Sequence, residues 1–154
     1  MARYVLDHPS VVAGKGVIDF ASGSGIVAIA AKRAGAARVL AADIDVFCEA
    51  ATALNAQANG VELEFTAKDL LEAPPPAWAE VILAGDICYE KPLAERVMTW
   101  LGAARAAGAT VLIGDPGRSY FPRQDLEKLA EYQVRTTREI EDMEVKKTAV
   151  WAMP

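Results

Sequence analysis

Asp19-Phe20-Ala21-Ser22-Gly23-Ser24-Gly25 is the stretch on which the reading of this chain turns. Just before and into it, Val17-Ile18-Asp19-Phe20 forms the short apolar run of a buried strand, entered through Gly14 and Gly16. After it, Ile26 to Ala34 reads as a buried helix stopped by Gly35. A strand, a glycine turn and a helix in that order leave bare backbone at Gly23 and Gly25, where a ligand can come close.

The same alternation runs outward to both ends. Downstream, Arg38 to Asp43 is a second strand, and Asp45 is placed to cap a helix from Val46 to Asn59. Its apolar residues Val46, Phe47, Ala50, Ala51, Leu54 and Ala58 recur at helical spacing, and Gly60 ends it. Glu62 to Thr66 alternates like a third strand, and Pro74-Pro75-Pro76 is a stiff loop. Val81 to Ala84 is a fourth strand. Pro92 opens a helix that carries Leu93, Val97, Trp100, Leu101 and Ala104 on one face. Thr110 to Gly114 is a fifth strand, followed by a turn at Asp115-Pro116-Gly117 and a short helix from about Gln124 to Glu131. Gln133 to Arg138 and Glu144 to Trp151 then read as two strands joined by a charged turn.

Five β-α units followed by a hairpin predict an α/β, doubly wound, mostly parallel seven-stranded sheet with an antiparallel pair at its end. A chain of 154 residues holds this as a single domain over residues 1–154.

Composition excludes several partners. The 16 basic and 21 acidic residues give a net charge of −5, with no basic cluster to neutralise a run of phosphates, which argues against nucleic acid. Two cysteines without CxxC spacing and a single histidine, His8, argue against a metal site and for a reduced, cytoplasmic protein. No apolar run reaches the roughly 18 residues of a membrane span, and the first residues do not open a signal peptide.

Carboxylates close the strands on the edge where open α/β sheets take ligands. Asp43 lies 18 residues beyond Gly25, where it can accept both hydroxyls of a ribose. Asp69 follows the third strand, within reach of an adenine amino group. Two cofactors fit an adenosine held this way. Gly23-Ser24-Gly25-Ile26-Val27-Ala28 matches the dinucleotide fingerprint, with Asp43 20 residues past Gly23, so a nicotinamide dinucleotide is one. S-adenosylmethionine (SAM) is the other, and Asp19 favours it. A carboxylate four residues before Gly23 repels a pyrophosphate but attracts a sulfonium with an α-amino group.

On these residues the chain resembles the seven-β-strand (class I) SAM-dependent methyltransferases. Asp19 to Gly25 is similar to their first motif, with Ala21 where some members have glycine. Ala41-Ala42-Asp43-Ile44-Asp45, Asn55 to Gly60 and Lys68-Asp69-Leu70-Leu71 resemble the next blocks of the branch that includes the ribosomal-protein lysine methyltransferases. Gly85-Asp86-Ile87-Cys88-Tyr89-Glu90 and Gly114 to Arg118 are similar to the bacterial lysine methyltransferases of the electron transfer flavoprotein β subunit. The family usually carries an N-terminal segment that helps cover the cofactor. This sequence begins inside the helix that follows it, which puts the activity of the chain as it stands in question.

The resemblance implies a role for each position. Asp19, Ala21, Gly23, Gly25, Asp43, Ile44, Asp69 and Leu70 would hold SAM. Asp86 and Tyr89 would face the methyl acceptor, a lysine of a protein substrate, with Asp86 binding and orienting its ammonium. Glu90 and Arg118 would contact the substrate protein. A carboxylate at Asp86 also favours the charged, non-nucleophilic form of that lysine, so proton loss needs help. Asp86 as a plain turn residue is the other reading of its position. Other functions on the same pattern are a small-molecule N-methyltransferase, an NAD-dependent oxidoreductase and a SAM-binding domain without activity.

Overall fold

Seven strands form one sheet in the order β3-β2-β1-β4-β5-β7-β6. The computed structural model describes residues 1–135 and 145–154. The strands are β1 (Gly16–Phe20), β2 (Arg38–Ala42), β3 (Glu64–Thr66), β4 (Val81–Gly85), β5 (Thr110–Asp115), β6 (Glu127–Arg135) and β7 (Val145–Ala152). The first five run parallel, and β7 pairs antiparallel with both β5 and β6. The helices are α1 (Ala2–Asp7), α2 (Ile26–Arg33), α3 (Phe47–Ala58) and α4 (Lys91–Ala106). The fold class expected from the alternation is the one found.

The side-chain period of two divides the core. Val17, Val39, Ala41, Val81, Leu83 and Leu112 point to one face, where Tyr4 and Val5 of α1 and Ala28 and Ala31 of α2 cover them. Ile18, Phe20, Ile82, Ala84, Val111 and Ile113 point to the other, beneath Val97, Trp100, Leu101 and Ala104 of α4. That is the face expected of α4. The indole N–H of Trp100 donates to the carbonyl of Ala73 at 2.9 Å, tying the proline loop to the helix.

Three expectations need correction. First, β3 and β4 are joined by a 3-10 turn (Leu70–Glu72) and the proline loop rather than a helix, so among the described residues α2, α3 and α4 are the only crossover helices. Second, Gln124–Glu131 is not a helix. A 3-10 turn (Arg123–Asp125) leads straight into β6, which starts six residues earlier than expected. Leu126, Leu129 and Ala130 look helical because a bulge between Lys128 and Ala130 breaks the strand alternation. Pairing with β7 outweighs that local pattern. The expected turn within Glu139–Lys147 falls mostly outside the described residues, although Val145 to Lys147 belong to β7.

Third, the apolar residues of α3 are not its buried face. Phe47 is 80% exposed and Leu54 66%, while Thr52 and Ala56 are buried. The helix turns small and polar residues inward because it packs on the loop after β1: Thr52 Oγ1 donates to the Gly23 carbonyl at 3.3 Å and Asn55 Nδ2 to the Ser24 carbonyl at 2.8 Å. Asp45 does cap it, accepting the Phe47 N–H at 2.9 Å.

Candidate functional site

The loop after β1 is built almost entirely from main chain. Ala21 takes φ +54°, the left-handed conformation that costs a residue with a Cβ and accounts for glycine in relatives of its motif. Gly25 has φ +78°, and a Cβ there would lie 2.8 Å from the Thr52 side chain, so neither its conformation nor its space admits another residue easily. The Gly23 N–H donates to Asp43 Oδ2 at 2.8 Å and the Asp45 N–H to Asp43 Oδ1 at 3.0 Å. Asp43 thus joins the ends of β1 and β2. Each of its oxygens keeps a lone pair, so a ribose diol can still be accepted.

Asp19 lies elsewhere than its motif suggests. It is 2% exposed, and its Oδ2 accepts the Ala28 N–H of α2 at 2.8 Å. Burial pushes its carboxyl up to about 7, opposed by the Ala28 N–H, while Asp43 adds to the rise and the Met1 ammonium opposes it. Asp19 is therefore a brace between β1 and α2 beneath the glycine loop, one layer removed from the cavity beside it.

That cavity, of about 200 Å³, opens between the β2 and β3 ends and α4. Ala21, Asp43, Ile44, Asp69, Leu70 and Tyr89 line it, six of the positions singled out from the sequence. Ile44 and Leu70 with Phe20 and Val97 give apolar walls, and Asp43 and Asp69 stand as acceptors at its polar side. This combination suits a purine with its ribose. Asp69 Oδ1 is engaged, accepting the Leu71 N–H at 2.9 Å as the cap of the 3-10 turn, and Oδ2 meets Arg96 at 3.4 Å. Arg96, on the polar side of α4, carried no motif and could be found only from the fold. The same holds for Thr52, which clamps the loop from α3 together with Asn55, the first residue of one of the family-like blocks.

Asp86 lies at the edge of the sheet beyond β4. Its backbone is left-handed, φ +56°, and its N–H donates to the Gly114 carbonyl of β5 at 2.8 Å. Arg118 reaches it from the loop after β5 in a two-pronged pair: Nε to Oδ1 at 2.6 Å and Nη2 to Oδ2 at 2.8 Å. Asp115, expected as a plain turn residue, is buried and accepts the N–H groups of Gly117 and Arg118 at 2.7 and 3.0 Å, which fixes the loop that presents the guanidinium. Burial raises the Asp115 carboxyl above its usual range. Cys88, buried behind Asp86, is pushed up to about 11 by burial and by Asp115 and Asp86, and so is an inert thiol. Tyr89 and Glu90 are exposed before α4, Tyr89 reaching the cavity wall. His8 is exposed and stacks on Tyr4, away from these groups. Among the described residues no cluster of three or more His, Cys, Asp or Glu side chains is placed to hold a metal, and no helix is long and apolar enough to cross a membrane.

Known proteins match this chain along most of its length. The ribosomal protein L11 methyltransferase (PrmA) family matches residues 4–112. The electron transfer flavoprotein beta subunit lysine methyltransferase of Mus musculus is 38% identical over 157 residues, covering 98% of this chain and 61% of that protein. The ribosomal protein L11 methyltransferase of Alteromonas mediterranea is 39% identical over 103 residues, covering 67% of this chain and 34% of that protein. Among solved structures, magnesium protoporphyrin IX methyltransferase from Synechocystis PCC 6803 with bound SAM has a TM-score of 0.67 at 14% identity, covering 99% of this chain and 76% of that one. This chain spans about three fifths of the length of the flavoprotein methyltransferases it matches.

Proposed function

The chain belongs to the ribosomal protein L11 methyltransferase (PrmA) family, and from that premise we propose that it transfers a methyl group from SAM to a lysine ε-amino group of a protein. The acceptor we propose is the β subunit of the electron transfer flavoprotein, the protein named in the relatives that match nearly all of this chain. The observation that carries the cofactor is the cavity bounded by Asp43, Asp69, Ile44 and Leu70 beside a glycine loop tied to the Asp43 carboxylate through the Gly23 N–H. When bound, SAM supplies an activated methyl group, and the protein's task is to place an unprotonated amine in line with it and exclude water.

Each residue then has a part. Asp43 accepts the ribose hydroxyls, Asp69 the adenine amino group, and Ile44 and Leu70 flank the ring. Ala21, Gly23 and Gly25 let the backbone approach the amino-acid end, with Asp19 bracing the loop from below. Asp86 receives the acceptor lysine, Tyr89 walls its channel, and Glu90 and Arg118 meet the substrate protein. One domain carries all of these residues. The free thiols of Cys48 and Cys88 suit a reducing compartment, and we place the protein in the cytoplasm. A small-molecule amine is the second acceptor class.

The test has two steps. S-adenosylhomocysteine should raise the thermal midpoint, by the equivalent of about 2.7 kcal/mol at a hundredfold excess over its dissociation constant, and NAD should not. Labelled methyl from SAM should then appear on the purified flavoprotein β subunit. Stabilisation by NAD alone would overturn the cofactor, and label appearing only on small amines would move the acceptor to that class.

A further inference from the structure

Resting on the reading of Asp86 as the lysine-binding carboxylate, we infer that Arg118 is the group that lets the acceptor amine lose its proton. A lysine amine has an ordinary pKa near 10.4, so at pH 7 fewer than about one in a thousand are nucleophilic. A lone carboxylate beside it makes this worse, because it stabilises the ammonium. Asp86 is not a lone carboxylate. Both its oxygens are met by the Arg118 guanidinium at 2.6 and 2.8 Å, and a guanidinium stays cationic throughout the working range. An amine arriving at this pair meets an acceptor oxygen whose charge the Arg118 guanidinium offsets. It can be held by hydrogen bonding without being held as a cation.

The pair is built by the sheet. Gly85 and Gly114 are in register on β4 and β5; the Gly114 carbonyl fixes the Asp86 backbone, and Asp115 fixes that of Arg118. Asp86 adopts a left-handed backbone that aspartate tolerates better than most residues, which is how a strand end turns its carboxylate toward the β5 loop. Its side chain remains 45% exposed and that of Arg118 40%, so an incoming amine has access to both. Among the described residues, other titratable groups surround the pair. Asp115 lies at the end of β5, with Arg123 beside it, and Cys88 lies in the loop after β4. The Met1 ammonium at the start of α1 lies against Gly114. Burial pushes the Asp115 carboxyl and the Cys88 thiol upward, whereas Asp86 and Arg118 form an exposed charged pair.

The step balances simply. The ammonium gives a proton to solvent, and the freed nitrogen lone pair forms the N–C bond to the methyl carbon. The C–S bond breaks with its electrons remaining on sulfur, and the methylated amine carries the positive charge. Arg118 forms no bond and is a positioning residue acting on the proton equilibrium through Asp86.

The test is the pH profile of kcat at saturating acceptor, which reports the bound complex, using the flavoprotein β subunit and poly-L-lysine as acceptors, for wild type, Arg118→Gln, Arg118→Lys and Asp86→Asn. The acidic limb should move up by about one pH unit in Arg118→Gln, a tenfold loss at pH 7 that recovers near pH 9. Arg118→Lys should keep the wild-type limb. Asp86→Asn, which leaves the guanidinium unbalanced, should move the limb down while lowering the plateau. S-adenosylhomocysteine affinity should be unchanged in all three, which also certifies their folding. A uniform loss in Arg118→Gln at every pH overturns the inference and leaves Arg118 as a structural partner. A gain in Arg118→Gln at pH 7 also overturns it, making Arg118 a plug that the lysine displaces. If wild type labels neither acceptor, the transferase reading itself fails and this inference falls with it; if wild type labels them and only the shift is missing, the reading stands without it.

Discussion

The strand ends that we propose take the adenosine and those that we propose take the acceptor are built in different ways. At the ends of β1 to β3, geometry comes from main chain: the Gly23 and Asp45 N–H groups on Asp43, the Leu71 N–H on Asp69, and the Gly23 and Ser24 carbonyls on Thr52 and Asn55. At the ends of β4 and β5 the backbone anchors two side chains, Asp86 and Arg118, which meet in an exposed ion pair. Hydrogen bonds between main chain and partly buried side chains are screened little by salt, whereas an exposed pair is open to exchange with an incoming charge. A fixed half suits a cofactor common to many enzymes, and an exchangeable half suits an acceptor that differs from one to the next.

The sharpest break in the fixed half is expected at Asp19. Its carboxyl titrates near 7 in the folded protein and near 3.8 when unfolded, so folding takes up a proton between those values. Its contribution to stability is full below about pH 4, declines as pH rises toward 7, and is level above. Asp19→Asn does not titrate and keeps an acceptor for the Ala28 N–H. Relative to wild type it should gain up to about 4 kcal/mol between pH 4 and pH 8, because each pH unit between the two titration points is worth about 1.36 kcal/mol. Denaturant unfolding at the two pH values measures this, and parallel curves would show that Asp19 is already ionised at pH 4.

Next in size is Asp43→Ala, which removes two hydrogen bonds from a charged acceptor to the ribose and should weaken S-adenosylhomocysteine binding by about 2–4 kcal/mol. Calorimetry on the folded variant decides, and an unchanged affinity would mean that the ribose is held elsewhere. Gly25→Ala should cost about 1–3 kcal/mol of stability, because a Cβ at φ +78° meets Thr52. Pairing it with Thr52→Ser, which removes the crowding methyl but keeps the hydroxyl, should recover part of the loss; no recovery would leave the backbone conformation as the whole cause. Smallest is the break in the exchangeable half. Asp86→Asn should leave cofactor affinity near normal and lower the high-pH plateau of methyl transfer about tenfold or more, a transition-state loss from about 1.4 kcal/mol. A variant as active as wild type would reduce Asp86 to a turn residue.

The parallel part of the sheet, the glycine loop and six of the fourteen residues lining the cavity were legible in the sequence. Those features follow from local rules: period-two apolar runs, a positive-φ turn that asks for glycine, and carboxylates closing strands at Asp43 and Asp69. Asp86, too, was legible as the acid after the fourth strand. What only the tertiary structure decided depends on contacts between segments far apart in the chain. Asp19 turned out to be a buried brace because α2 folds back over it, which no spacing reveals. The Gln124–Glu131 segment became strand because β7 offers it a ladder, and the polar face of α3 turned inward because the glycine loop needed donors. Arg118 is 32 residues from Asp86 in sequence and 2.6 Å away in space. That pairing exists because β4 and β5 are neighbours in register, so it is a property of the sheet's topology rather than of any motif.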